Sequence, residues 1–100
     1  MKPFRLTEGS ADEVEAILDY YAQHSPKYAK GLRRELRARF KLVGQHPGLG
    51  SPVDHVAVGL RTTSVRDVTI YFRREGDITV IHHVLHGARD ADAYFDGLGN

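Results

Sequence analysis

At Pro47-Gly48-Leu49-Gly50-Ser51-Pro52 the hydrophobic period of the chain changes, and this constrains the fold more than any other feature. Upstream, apolar residues recur every three or four positions. Downstream, they alternate. One regular element cannot carry both periods, and a run this rich in proline and glycine cannot itself be regular structure. The 100 residues therefore divide into a helical part and a sheet part, which at this length share one core.

Before the helical part, Pro3 to Thr7 reads as a short extended segment, because Phe4 and Leu6 alternate with Arg5 and Thr7. Ser10 is placed to cap a helix, and Glu13 three residues on completes a capping box. Val14, Ile17, Leu18 and Tyr21 then recur at helical spacing to about His24, with Asp12, Glu13 and Glu15 in the first turns, where the helix dipole favours acids. Ser25-Pro26 restarts a helix, serine as cap and proline at the first helical position. Ala29, Leu32, Leu36, Phe40 and Val43 form its apolar stripe, and Gly44 is a natural stop. So short a connection predicts an antiparallel helical hairpin.

Beyond Pro52, the pattern is strand-like. Val56 to Leu60 leads through Arg61 and Thr62. Val68, Ile70 and Phe72 alternate with Thr69, Tyr71 and Arg73, and Ile78, Val80, His82 and Val84 follow the same rule. Glu75-Gly76-Asp77 joins the last two strands as a hairpin. Gly87 opens an acidic tail with room for one short turn or helix. A hairpin of helices and a one-sided sheet each need an apolar cover, and each supplies it to the other. The expected fold is a two-layer α+β domain over residues 1–100. It has an N-terminal strand, an antiparallel helical hairpin, a three-stranded antiparallel sheet portion and a short C-terminal tail.

Charge adds a second constraint. The net charge is only +1, yet Lys27, Lys30, Arg33, Arg34, Arg37, Arg39 and Lys41 crowd the second helix against the single acid Glu35. The segment Glu8 to Asp19 carries acids and no base. Separated fields of this kind suit a protein that meets charged macromolecules on specific faces. Within the helix, Lys30, Arg34, Arg37 and Lys41 form a stripe distinct from the apolar one, a candidate surface for nucleic acid or an acidic protein segment. The bland alternative is a solvated face whose aliphatic stems cover the core edge. The chain has no cysteine, which excludes a disulfide framework and a thiolate zinc site. No apolar stretch approaches the 18 residues that span a bilayer, and the cytoplasm is the expected compartment.

Enzyme signatures are sparse. There is no glycine-rich phosphate loop with its lysine, no serine in a nucleophile elbow and no convincing pair of carboxylates. The run His82-His83-Val84-Leu85-His86 does not suit a metal, because His82 and His86 lie about 13 Å apart along a strand while zinc ligands converge at about 2 Å. No metal or cofactor is expected. His86, where a sheet ends beside Arg89, suits an acid, a base or a bond to a loop carbonyl. Arg61 could bind phosphate or carboxylate bidentately, with Arg66, Arg73 and Arg74 extending that surface.

Four segments, in order, resemble one family. Leu6-Thr7-Glu8-Gly9-Ser10-Ala11-Asp12 is similar to its first strand and helix entry, and Pro47-Gly48-Leu49-Gly50 to its loop after the second helix. Gly59-Leu60-Arg61 with Ile70-Tyr71-Phe72-Arg73 resembles its central sheet, and Val84-Leu85-His86-Gly87-Ala88-Arg89-Asp90 its closing motif. The set resembles ParE-type toxins of the RelE/ParE superfamily over nearly the whole chain. The resemblance implies a type II toxin, held inactive in a hetero-oligomer by a cognate ParD-like antitoxin. ParE-like members poison DNA gyrase and block replication. RelE-like members instead cut mRNA in the ribosome, and for that chemistry the matching residues here are Arg61, His86, Arg89 and Tyr94. Phe95, which cannot exchange a proton, occupies the position of the important RelE-like tyrosine, and no lysine lies between Gly48 and Leu60. The ParE-like reading, inhibition by binding, is therefore preferred to the nuclease and to a non-toxic nucleic-acid-binding module that would use the basic stripe of the second helix. Arg34, Arg37, Lys41, Arg61, Arg73 and Arg89 are its expected target contacts.

Overall fold

A computed structural model describes residues 3–87. It contains β1 (Phe4–Leu6), α1 (Glu8–His24), α2 (Pro26–Gln45), β2 (Ser51–Pro52), β3 (Arg61–Val65), β4 (Val68–Glu75) and β5 (Ile78–His86). The sheet runs β1-β5-β4-β3-β2. β1 lies parallel to β5 and the other neighbours are antiparallel. The two-layer α+β arrangement follows the sequence expectation, with strand, helical hairpin and sheet in that order. The sheet is wider than expected, because Ser51 and Pro52 pair with Thr62 and Arg61. Proline is tolerated there because β2 is an edge strand.

Ser25 makes the hairpin. In an extended conformation (φ −155°, ψ 97°), its N–H closes α1 on the Tyr21 carbonyl while its hydroxyl accepts the Tyr28 N–H that opens α2. The expected helix start at Ser10 is corrected. α1 begins at Glu8, capped by Thr7, whose hydroxyl oxygen accepts the Ser10 N–H at 3.1 Å. Ser10 is instead fully buried. Its hydroxyl bonds the Ile81 carbonyl at 2.9 Å and the Thr7 carbonyl at 3.0 Å, tying helix to sheet. Glu13 completes no capping box. β1 stops at its pairing with Ile81, and Glu13 reaches the exposed edge of β5, where Oε1 accepts the Val84 N–H at 3.0 Å. Edge amides left unpaired invite foreign strands.

Gly44 is no stop either, since α2 continues to Gln45. A Cβ at Gly44 would lie 2.9 Å from the Pro3 Cβ, so glycine here lets the chain entering β1 cross the helix. The core stripe of α2 is buried as read, and it packs with Val14, Ile17 and Leu18 of α1 on Val65, Val68, Ile70, Phe72, Ile81 and Val84 of the sheet.

The alternation expected along β5 fails at His82. Tyr71 faces His83 while Phe72 faces Ile81, leaving His82 as the extra residue of a bulge. Directly opposed residues share a face. Ile81 and Val84 therefore both reach the helical layer despite their three-residue spacing. The sheet is not one-sided either. The segment between β2 and β3, read as strand-like, turns back on itself through bonds such as Val53 N–H to Leu60 O at 2.9 Å. Val53, Val56 and Ala57 thereby cover Leu60 and Tyr71 on the face away from the helices.

Candidate functional site

On α2 the positions 27, 30, 34, 37 and 41 fall within an arc of about 80°, turned away from the buried stripe. All five side chains are exposed, and none forms an ion pair among the described residues. The cations flanking the arc have other work. Arg33 makes two 2.9 Å bonds to the Glu15 carboxylate on α1, which hold that carboxyl below its ordinary range. Arg39 turns to the Thr63 hydroxyl and the Ser64 carbonyl. Glu35, the one acid of the helix segment, pairs with Arg66 of the β3–β4 turn and so does not neutralise the arc. Arg66 also stacks over the Tyr28 ring, 4.4 Å from its centroid.

Arg34, Arg37 and Lys41 thus share one surface. Arg61 and Arg73 do not join it. Arg61 lies opposite Phe72, on the helical side of the sheet. Its Nε donates to Leu49 O at 3.0 Å and its Nη2 to Gly48 O and Gly50 O at 2.7 and 3.0 Å. The guanidinium therefore works as a clamp on the proline-glycine loop. Arg73 lies opposite Val80, on the other face. It bonds Glu75 Oε2 at 3.1 Å, and His82 Nε2 stands 2.6 Å from the same oxygen. These contacts, His82 first, hold the Glu75 carboxyl below its ordinary range. Arg89 and Tyr94 lie outside the described residues.

Among the described residues, His86 bonds no loop carbonyl. Its Nε2 lies 2.7 Å from the Tyr21 hydroxyl and 3.0 Å from Asp67 Oδ2, and the same hydroxyl donates to Asp67 at 2.7 Å. The last turns of α1, the β3–β4 turn and the end of β5 meet here, and the Gly87 N–H reaches the Asp67 carbonyl at 2.6 Å. Tyr20 and Tyr21 flank the imidazole with ring centroids 5.8 and 5.3 Å away. Tyr21 reads from sequence as a plain member of an apolar stripe, and nothing in the sequence singles out Asp67. Only the register that sets Val68 opposite His86 brings the three together.

Partial burial, then the bonded Asp67 carboxylate, pushes the Tyr21 phenol well above its usual range. The Tyr21 bond first, and His86 after it, holds the Asp67 carboxyl below its own. Near neutrality the corner is a carboxylate clasped by a phenol and an imidazole, and so firmly protonated a phenol is a poor proton shuttle. Its contribution to stability has two limits. The depressed Asp67 stabilises the fold above the unfolded carboxyl value of about 3.9, and loses this as pH falls through its lower folded value. The raised Tyr21 stabilises below the unfolded phenol value of about 10, and loses this as pH climbs beyond it. Asp67→Asn is expected to flatten the acid limb of a melting-temperature profile, and Tyr21→Phe the alkaline limb. Superimposable limbs for wild type and variants would contradict the arrangement.

A third feature is a groove of about 260 Å³ between the hairpin and β1. Phe4, Leu6, Ala11, Val14, Leu36 and Phe40 form its apolar wall, with Glu15, Arg33 and Arg37 at its margin. Among the described residues no helix is long and apolar enough to cross a membrane.

The ParE toxin of the parDE type II toxin–antitoxin system, as a family, matches residues 4–91. Toxin ParE1 of Caulobacter vibrioides is 28% identical over 95 residues, covering 94% of this chain and 98% of that protein. A chain from the chromosomal ParDE TA system of P. aeruginosa superposes with a TM-score of 0.71 at 21% identity, over 87% of this chain and 99% of that one. The latter likeness is one of fold.

Proposed function

The chain belongs to the ParE toxin family of type II toxin–antitoxin systems, and from that premise we propose that it stops growth by gripping DNA gyrase and breaks no bond itself. One observation carries this reading: the exposed cationic arc of α2, none of whose five side chains forms an ion pair among the described residues. Such a face suits a large charged target. Arg34, Arg37 and Lys41 are its central contacts. Arg61 contributes by holding the loop after α2 in shape. Arg73, which lies outside the arc, and Arg89 remain in the proposed contact set. Residues 1–100 act as one toxin domain, in the cytoplasm, without a cofactor.

As a ParE-type toxin the chain has a cognate antitoxin. The groove beside β1 suits an amphipathic antitoxin segment. Its apolar side would cover Phe4, Leu6 and Phe40, and its acids would meet Arg33 and Arg37 at the margin. The short β1 also offers an open edge for an extended segment.

In a supercoiling assay with purified gyrase and relaxed plasmid, the toxin is expected to abolish supercoiling as it approaches molar excess over the enzyme. Undiminished supercoiling at high excess would overturn the reading. The RelE-like alternative needs Arg61 at a scissile phosphate, yet that guanidinium is committed to three loop carbonyls. Primer-extension mapping after induction separates the two. Ribosome-dependent mRNA cuts that vanish in Arg89→Ala and Tyr94→Phe would favour the nuclease.

A further inference from the structure

We propose that the outer face of α2 is a docking surface for the phosphate backbone of duplex DNA, so that the toxin touches nucleic acid directly as well as any protein target. Lys27, Lys30, Arg34, Arg37 and Lys41 form a line about 21 Å long at 1.5 Å per residue. Gln45 also falls in the arc, and Pro26, Gly31, Ala38 and Gly44 border it, so neither an acid nor a large apolar side chain interrupts it. Lys30, Arg33, Arg34 and Arg37 by themselves line a shallow depression on this face.

The composition of the face selects the partner. A protein interface is anchored by buried aromatic or aliphatic residues at its centre, where lysine is depleted. This arc has no such anchor, so a protein target that meets it must find its anchors on neighbouring surface, whereas phosphates need none. Single-stranded nucleic acid is gripped by aromatic platforms on which bases stack. Tyr20, Tyr21 and Tyr28 sit instead at the His86 corner and in the hairpin, and Tyr71 is buried on β4. A line of cations on a convex helix needs only phosphates at regular intervals. Duplex DNA presents them every 3.4 Å of axis along each strand, about six over the length of the line. A helix with its side chains is about 10–12 Å across, which matches the major groove of B-DNA at about 12 Å but not the narrow groove of double-stranded RNA.

This inference goes beyond gyrase inhibition and does not depend on it. The probe is a fluorescein-labelled 20-bp DNA duplex of arbitrary sequence, titrated with the full-length toxin and read by anisotropy in the absence of gyrase. If all five cations engage, log K falls against log salt with a slope of about −4.5, a loss of about 500-fold between 50 and 200 mM. Lys30→Gln/Arg34→Gln removes two contacts and is expected to reduce the slope to about −2.7. Arg5→Gln/Arg74→Gln removes the same charge from exposed positions on the sheet and is expected to leave the slope in place. Circular dichroism shows that each variant is folded. Equal losses in both variants would mean that only total charge matters and would overturn the inference. So would equal binding of double-stranded RNA, equal binding of single-stranded DNA, or displacement by polyglutamate at the same charge concentration. Since gyrase is absent, a failure here leaves the supercoiling result standing, and the converse holds.

Discussion

Phe72→Ala is expected to lower the melting temperature by about 15–30 °C. Phe72 is 0% exposed and lies on β4, with β3 and β5 hydrogen-bonded on either side. The helical layer covers its ring. Removing a buried phenyl costs about 3–5 kcal/mol when the surroundings cannot close on the vacancy. Here the sheet restricts them from both sides and the capped hairpin from above. In a chain of this size each kcal/mol moves the midpoint by about 4–8 °C, and total stability is about 5–15 kcal/mol. One truncation therefore removes a large fraction of what holds the toxin folded, and its toxicity in cells falls with the folded population. Val58→Ala is the contrast. Val58 is 83% exposed, and its truncation is expected to leave the midpoint within about 2 °C of wild type, as surface changes usually do. Thermal unfolding followed at 222 nm measures both. A shift below 5 °C for Phe72→Ala would mean that this ring does not anchor the core.

The parts of this fold legible in the sequence are those decided by neighbours in the chain. Ser25-Pro26 announces its cap because the groups it satisfies lie three or four residues away. The α2 stripe is visible because its period is helical. What escaped depends on partners far along the chain. Ser10 resembles a cap, yet its hydroxyl belongs to Ile81, across the interior. Glu13 resembles half of a capping box, yet it closes a sheet edge at Val84. A bulge at His82 leaves no mark in an alternating pattern, because only the opposing strand counts the extra residue. The candidate site divides in the same way. The cationic arc lies on one helix and could be read directly. The Tyr21–Asp67–His86 corner joins three elements and required their register. Arg61 is the instructive case, because an arginine before a central strand suggests a ligand while its geometry describes a clamp on the loop.

If the antitoxin lies in the groove beside β1 and the target meets the outer face of α2, inhibition and toxicity are separable by mutation, and Ala11→Arg is the sharper test. Ala11 is exposed on α1 and forms part of the apolar groove wall, so a longer side chain there disturbs no core packing. An arginine at this position fills the seat with a long charged side chain where the antitoxin's apolar side would lie. An antitoxin segment that docks regardless must lay its apolar side over that guanidinium, and a charge desolvated without a partner there costs about 3–5 kcal/mol, equivalent to a loss of about 100-fold to 4000-fold in affinity. The variant is expected to keep the wild-type melting temperature and toxicity while its antitoxin no longer rescues growth on co-expression. Arg34→Gln/Lys41→Gln is expected to do the reverse, binding antitoxin normally and failing to arrest growth, because neither residue lines the groove. Calorimetric titration of each toxin with its antitoxin, alongside growth curves, distinguishes the four combinations. Full rescue of Ala11→Arg by antitoxin at wild-type affinity would remove the groove from the neutralising interface, and the open edge of β1 would then be the surface to test.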